Sequence, residues 1–97
     1  METEKDRKAA CKIHIEGRVQ GVGFRYSAMK SARRYGVYGW VKNEYDGSVS
    51  LFCEGEQSRV DMFIEWCKQG PPSAHIVNVD VQSLSYTGKY NSFSVAY

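Results

Sequence analysis

A glycine-rich segment that ends in an arginine is the part of the sequence best suited to chemistry. It contains Gly17, Gly21 and Gly23, and Arg25 follows two residues after the last glycine. Glycine readily adopts positive φ, so such a turn can present successive backbone N–H groups at the start of a helix, where they bind anions. A cation in the first helical turn is unfavourable by ~0.3–1 kcal/mol, because it lies near the positive end of the helix dipole. A bound anion would offset this repulsion. The segment therefore predicts a local anion site, and a plain tight turn between strand and helix is the alternative.

Three better-known glycine motifs do not fit this segment. A dinucleotide-binding fingerprint requires a third glycine, and Phe24-Arg25-Tyr26 follows Gly23 instead. A Walker P-loop ends in Gly-Lys-Ser/Thr, which this segment lacks. The octamer of RNA-recognition modules has a basic first residue and an aromatic residue between its glycines, and the run from Gly21 to Phe24 has neither.

Composition and charge describe a single small globular domain. The 97 residues are 42% hydrophobic and 25% charged, with 13 basic and 11 acidic residues. The net charge of +2 is too small for broad binding to a phosphate backbone, so no nucleic-acid partner is expected. No apolar run approaches the ~20 residues of a membrane span, so no membrane association is expected either. The charged start lacks the apolar stretch of a signal peptide, and we expect a disordered tail at residues 1–10, a domain at residues 11–97 and a cytoplasmic location.

The chain has three cysteines, Cys11, Cys53 and Cys67, without Cys-x-x-Cys spacing. This odd number argues against a disulfide framework and against a structural zinc site. Reduced, mostly buried thiols are the simplest interpretation. A Cys11–Cys53 disulfide would require their two strands to be neighbours.

Hydrophobic periodicity predicts four strands and two helices, followed by a short fifth strand. Alternation predicts strands at residues 12–16, 37–44 and 48–54, and an Asp-Gly turn joins the last two. Apolar residues three and four apart predict a first helix from Phe24 to Tyr35. The second helix is expected to begin with a capping box at Ser58 and Asp61 and to end at Gly70. Residues 76–81 and 93–97 complete the strands, with a polar loop at residues 82–92.

The resulting order, β-α-β-β-α-β plus a terminal strand, is that of the ferredoxin-like α+β fold. In this fold an antiparallel sheet carries both helices on one face. The fold hosts many unrelated functions, so it does not by itself decide among them.

Two motifs at a characteristic separation resemble the signatures of the acylphosphatase family. The first is the segment 17–25, and the second is Gly39-Trp40-Val41-Lys42-Asn43 followed by Asp46-Gly47-Ser48-Val49. The Gly70-Pro71-Pro72 end of the second helix and the closing segment 93–97 match as well. The resemblance covers about residues 11–97. It implies hydrolysis of acyl phosphates, which are carboxyl–phosphate anhydrides, to a carboxylate and inorganic phosphate.

The resemblance also implies roles for individual residues. Arg25 would hold the phosphoryl group together with the backbone N–H groups of Gln20, Gly21, Val22, Gly23, Phe24 and Arg25. Asn43 would orient the attacking water, since an asparagine can position a water but is too weak a base to take its proton. We expect a monomer that uses no metal and no cofactor and acts on a small-molecule acyl phosphate.

The remaining polar residues suggest no further catalytic group. His14 and His75 are isolated, and Glu16, Glu44 and Glu54 are expected at solvent-facing strand positions. Neither a Cys-x5-Arg loop nor an Asp-x-Asp motif occurs. A carboxylate leaving group, whose conjugate acid has a pKa of roughly 4, departs without being protonated, so an acyl phosphate suits such a site. The proton of the water would then pass to a phosphoryl oxygen of the substrate.

A non-catalytic ferredoxin-like module is the alternative function. Such a module would use the same loop to bind a phosphorylated ligand or RNA. A pure binder needs no residue to orient water, so the presence of Asn43 beside Arg25 favours the enzyme.

Overall fold

A computed structural model describes residues 7–97 of the chain. It contains the predicted elements in the predicted order: β1 (Lys8–Arg18), α1 (Phe24–Tyr35), β2 (Tyr38–Asn43), β3 (Val49–Glu56), α2 (Gln57–Gln69), β4 (His75–Leu84) and β5 (Phe93–Ala96). The strands form one sheet in the order β4-β1-β3-β2-β5. All neighbours are antiparallel except β2 and β5, which run parallel. The ferredoxin-like α+β fold with an additional terminal strand is confirmed.

The first strand begins at Lys8, three residues before the expected start of the domain. Residues 8–10 pair with residues 54–56 of β3, and Ala10 is buried. The run Lys8-Ala9-Ala10 contains no strong strand former, so this pairing accounts for its extended conformation. Residues 1–6 of the expected tail lie outside the described residues.

Both helices pack against one face of the sheet around a single core. The buried side chains come from one stripe on each helix and from alternate positions of the central strands: Phe24, Ala28, Ala32, Val60, Phe63, Cys67, Ile13, Ile15, Val49 and Leu51. Each fully buried Val, Leu, Ile or Phe side chain contributes about 1.5–3 kcal/mol, so this core holds the helices in place on the sheet. Within residues 7–97, neither helix has the length and apolar character needed to cross a membrane.

The start of α2 differs from the prediction. The helix begins at Gln57, and the preceding Glu56 makes no side-chain capping hydrogen bond. Asp61 accepts a hydrogen bond from Gln57 Nε2 at 3.0 Å, a contact between residues four apart on the helix surface. The predicted capping box is therefore wrong, because Ser58 already lies within the helix and the carboxylate of Asp61 bonds to a neighbouring side chain.

The opposite face of the sheet is partly covered by residues 85–92. Thr87 donates hydrogen bonds to the carboxylate of Glu54 from its N–H at 2.8 Å and from its hydroxyl at 2.9 Å. Tyr90 packs on Phe52, with 5.3 Å between ring centroids. Glu54 is 0% exposed, so its expected position at the solvent is wrong. Alternation determines which face of a strand a residue occupies, but it does not show what covers that face.

Candidate active site

The loop between β1 and α1, the first turn of α1 and the end of β2 surround one cavity of about 430 Å³. Arg25 and Asn43, the two predicted catalytic residues, both line it, together with Gly21 and Gly23. The other walls are apolar or aromatic: Val19, Phe24, Tyr26, Met29, Val95 and Tyr97. The fold therefore places Arg25 of the first sequence motif and Asn43 of the second in the wall of the same cavity.

The two loop glycines in this cavity have left-handed backbone conformations. Gly21 has φ +74° and Gly23, the N-cap residue of α1, has φ +77°. A side chain placed at either position would meet no atom within 4 Å, so the backbone angle explains these glycines and crowding does not. The space in front of the loop is open and can admit a ligand close to the main chain.

Side-chain hydrogen bonds to neighbouring segments hold the loop in position. Gln20 Nε2 donates hydrogen bonds to the carbonyl oxygens of Glu44 at 2.7 Å and of Ser48 at 2.8 Å. The hydroxyl of Ser73 donates to the carbonyl oxygen of Val22 at 2.8 Å. Gln20 and Val22 were predicted only through their backbone N–H groups, and neither is among the residues that line the cavity. In the structure, the hydrogen bonds of these two residues fix the loop to the β2–β3 turn and to the segment before β4.

The β2–β3 turn that receives Gln20 is itself organised by Asp46. The carboxylate of Asp46 accepts hydrogen bonds from the Ser48 hydroxyl at 2.5 Å and from the Ser48 N–H at 2.9 Å. These two bonds, the hydroxyl first, lower the pKa of the Asp46 carboxyl. A hydrogen bond of 2.9 Å from the Glu44 N–H to the Ser48 carbonyl oxygen closes the turn.

Arg25 lies in the first turn of α1, in which no acidic residue occurs. Among residues 7–97, no carboxylate lies within ion-pair distance of its guanidinium. The guanidinium carbon lies 5.1 Å from the centroid of the Tyr97 ring, which is a cation–π contact. The positive charge of Arg25 and the positive end of the α1 dipole are thus left together at the cavity.

Asn43 is the last residue of β2, and its side chain is partly buried in the cavity wall. Its Oδ1 atom is buried and accepts no hydrogen bond within the described part of the chain. Buried carbonyl oxygens nearly always have a partner, since an unpaired one raises the free energy of the folded state by roughly 1–3 kcal/mol. No described residue donates to Oδ1, so the protein leaves its capacity to accept a hydrogen bond unused.

The other titratable residues that the structure describes do not assemble into a second catalytic centre. His14 Nε2 lies 3.7 Å from the carboxylate of Glu16, and His75 is exposed. Within residues 7–97, no three histidine, cysteine, aspartate or glutamate side chains are placed to hold a metal ion. Tyr97 and Ser73 were not predicted as contacts of the site. Both residues are far from the loop in sequence, so no local spacing of residues predicts their contacts with the site.

Comparison with known proteins shows similarity to one family over most of the chain. The acylphosphatase family model matches residues 11–95. The acylphosphatase of Acaryochloris marina is 48% identical over 84 residues, which cover 87% of this chain and 89% of that protein. The crystal structure of the Bacillus subtilis acylphosphatase superposes with a TM-score of 0.88 at 35% identity, over 92% of this chain and 99% of that one. An acylphosphatase from Coxiella burnetii gives a TM-score of 0.89 at 33% identity, over 99% and 100% of the two chains.

These similarities span almost the whole length of both partners in each comparison, so they apply to the domain as a unit and not to an isolated motif. They favour the hydrolase over the non-catalytic binding module that shares the same fold class. The chain belongs to the acylphosphatase family and is a hydrolase of acyl phosphates.

Proposed function

We propose that acyl phosphates are hydrolysed in this cavity, where Arg25 and the N–H groups of residues 20–25 hold the phosphoryl group and Asn43 orients the attacking water. One observation supports this: Arg25 and Asn43 line a single cavity beside two left-handed glycines at the start of a helix. A helix N-terminus without acidic residues suits a dianionic group, and so does the neighbouring guanidinium.

Arg25 binds the phosphoryl oxygens because a guanidinium is planar, stays charged at any working pH and offers parallel N–H donors. Charge-assisted hydrogen bonds of this kind contribute about 1.5–3 kcal/mol each. The Tyr97 ring beside the guanidinium restricts the positions that the long side chain can adopt. Such restriction keeps the donors near the geometry that the reaction needs.

Asn43 places the nucleophile. Its Oδ1 accepts a hydrogen bond from the water, which then attacks phosphorus in line with the departing acyl oxygen. The water oxygen forms a bond to phosphorus while the bond between phosphorus and the acyl oxygen breaks. The acyl group leaves as a carboxylate with a conjugate-acid pKa of roughly 4, so it needs no general acid. The proton of the water passes to a phosphoryl oxygen of the substrate, and catalysis comes from positioning and electrostatic stabilisation.

The proposal includes a cytoplasmic monomer that works without a metal ion, a cofactor or a nucleic-acid partner. In sedimentation equilibrium we expect one species of 11.0 kDa. A dimer that loses activity on dilution would contradict the expectation that the protein is a monomer.

A hydrolysis assay with two phosphoryl donors tests the reaction class. Benzoyl phosphate has a carboxylate leaving group, whereas p-nitrophenyl phosphate is an ester. With excess chelator present, we expect turnover of benzoyl phosphate alone, with inorganic phosphate as a competitive inhibitor. Loss of activity in chelator would contradict the metal-free mechanism, and equal turnover of the ester would contradict the role of the leaving group.

A further inference from the structure

Two cysteines on neighbouring strands lie side by side in the core. Cys11 of β1 is paired directly with Cys53 of β3 in the antiparallel register. Their Sγ atoms are 3.4 Å apart, although 42 positions separate the two residues in the chain. Directly opposed residues of antiparallel strands have Cα atoms about 4.5–5.5 Å apart, which lies within the range that a disulfide spans.

The two thiols differ in their electrostatic setting. The hydrogen bond between the two thiols lowers the pKa of Cys11. The same bond, together with burial, raises the pKa of Cys53. Cys67, on α2, is a third buried thiol, and burial raises its pKa as well. The thiolate is the nucleophile in thiol–disulfide exchange, so Cys11 is the sulfur of the pair that attacks first.

We propose that Cys11 and Cys53 form a dithiol modification site that a low-molecular-weight disulfide such as glutathione disulfide oxidises to an intramolecular disulfide. In the first step the Cys11 thiolate attacks one sulfur of the oxidant, forms a mixed disulfide and releases one glutathione thiolate. In the second step Cys53 displaces the other glutathione and forms the Cys11–Cys53 bond. The two cysteine protons pass to the two released thiolates, so one disulfide is reduced as the other forms. The sulfurs need to approach by only about 1.4 Å from their present 3.4 Å separation.

Burial controls when this reaction occurs. Cys11 is 3% exposed and Cys53 is 0% exposed, and β1 is an inner strand between β4 and β3. An oxidant of the size of glutathione reaches them only when this part of the sheet opens. We therefore expect slow oxidation under native conditions, and faster oxidation in urea concentrations below the unfolding transition.

The cross-link acts on stability and leaves the chemistry of the cavity unchanged. The loop that it closes contains the glycine-rich segment, α1 and β2, so both Arg25 and Asn43 lie inside it. Neither cysteine lines the cavity. We expect the oxidised protein to have a Tm higher by roughly 10 °C, with kcat at 25 °C unchanged within about two-fold.

Incubation with glutathione disulfide, followed by intact mass spectrometry and non-reducing peptide mapping, tests the site. We expect the loss of two hydrogens and one cross-linked peptide that joins Cys11 to Cys53. Cys67→Ala should show the same mass change, and Cys11→Ala should not. A stable glutathione adduct, or a disulfide that involves Cys67, would overturn the proposal. If Cys11→Ala does not fold, the peptide map of the wild-type protein still decides which sulfurs have paired.

The hydrolysis assay keeps this inference separate from the proposed function. A protein that hydrolyses benzoyl phosphate but never loses two hydrogens would contradict the dithiol alone. A protein that forms the disulfide without any acyl phosphate turnover would contradict the proposed function alone.

Discussion

Gln20 and Ser48 are joined by a hydrogen bond of 2.8 Å from the side-chain amide of Gln20 to the carbonyl oxygen of Ser48. The same nitrogen lies 2.7 Å from the carbonyl oxygen of Glu44. One side chain thus ties the loop before Arg25 to the turn after Asn43. This connection fixes the glycine-rich loop relative to the strand that carries Asn43.

Replacement of Gln20 should disturb both stability and phosphate binding. Gln20→Ala removes two donors, and we expect it to reduce the free energy of unfolding by about 1–2 kcal/mol. We also expect a several-fold weaker inhibition by phosphate, because the loop loses its anchor. Gln20→Glu keeps the shape but sets carboxylate oxygens against two carbonyl oxygens, so it should be at least as harmful. Urea unfolding and inhibition assays check both effects, and a Gln20→Glu protein as stable as the wild type would contradict the anchoring role.

Arg25 should be essential for turnover. We expect Arg25→Ala to lower kcat/KM by at least roughly 10³-fold, since it removes several charge-assisted hydrogen bonds of about 1.5–3 kcal/mol each. Arg25→Lys should restore little, because an ammonium group lacks the planar fork of donors. Arg34→Ala is the matched control, since Arg34 is exposed on the same helix and is not among the residues that line the cavity. Steady-state kinetics with benzoyl phosphate measure all three. An Arg25→Lys protein with a kcat/KM close to that of the wild type would show that a positive charge alone is sufficient for turnover.

Local patterns were enough to predict α1, and they pointed to Arg25 and Asn43, which the fold brings to one cavity. Phe24, Ala28 and Ala32 form the buried stripe of α1, and the helix ends at Gly36, just after the last periodic residue. Side-chain contacts from distant segments could not be predicted. The bond between Gln20 and the β2–β3 turn depends on two turns that meet only after the sheet has formed.

The misplacement of Glu54 has a similar origin. Its neighbours along β3 indicate a strand, and alternation assigns it correctly to the face opposite the helices. Its burial depends on residues 85–92, a polar stretch without periodicity, which fold back over that face. Nothing in a polar loop indicates where it will lie, because its contacts are set by the sheet beneath it and not by its own pattern.

Thr87 should matter for stability and not for activity. Its N–H and hydroxyl are hydrogen-bond partners of the buried Glu54 carboxylate. Thr87→Val removes the hydroxyl and leaves part of the buried carboxylate without a donor, which should lower stability by about 1–3 kcal/mol. Thr87→Ser retains the hydroxyl and should lose much less. Because Thr87 does not line the cavity, kcat should stay unchanged in both variants. Chemical denaturation combined with the benzoyl phosphate assay separates the two effects.

Asp46 should make the stability of the β2–β3 turn depend on pH. Hydrogen bonds from Ser48 lower the pKa of its carboxyl below the usual 3.8. A group whose pKa is lower in the folded state stabilises the protein above its unfolded pKa, and this stabilisation is lost as the pH falls through the folded pKa. Asp46→Asn should therefore have a lower Tm than the wild type at pH 7. The difference should shrink as the pH falls below about 4. Thermal unfolding across this range measures it, and a constant difference would contradict the role of the charge.

Asn43 offers the sharpest separation between a catalytic and a structural role. A residue that supports the fold loses stability when truncated, but Oδ1 of Asn43 is buried and accepts no hydrogen bond from the described residues. We therefore expect Asn43→Ala to be at least as stable as the wild type in urea, since it removes a buried acceptor that no protein group satisfies.

The same variant should lower kcat by about 10²–10³-fold, by analogy with the loss of one oriented group in a preorganised site. Inhibition by phosphate should stay close to that of the wild type, because Arg25 and the loop are intact. Asn43→Asp keeps an acceptor oxygen but adds a negative charge beside the dianion, so phosphate affinity should fall as well as kcat. An Asn43→Ala protein whose phosphate affinity fell as much as its kcat would assign this residue to substrate binding and not to the placement of water.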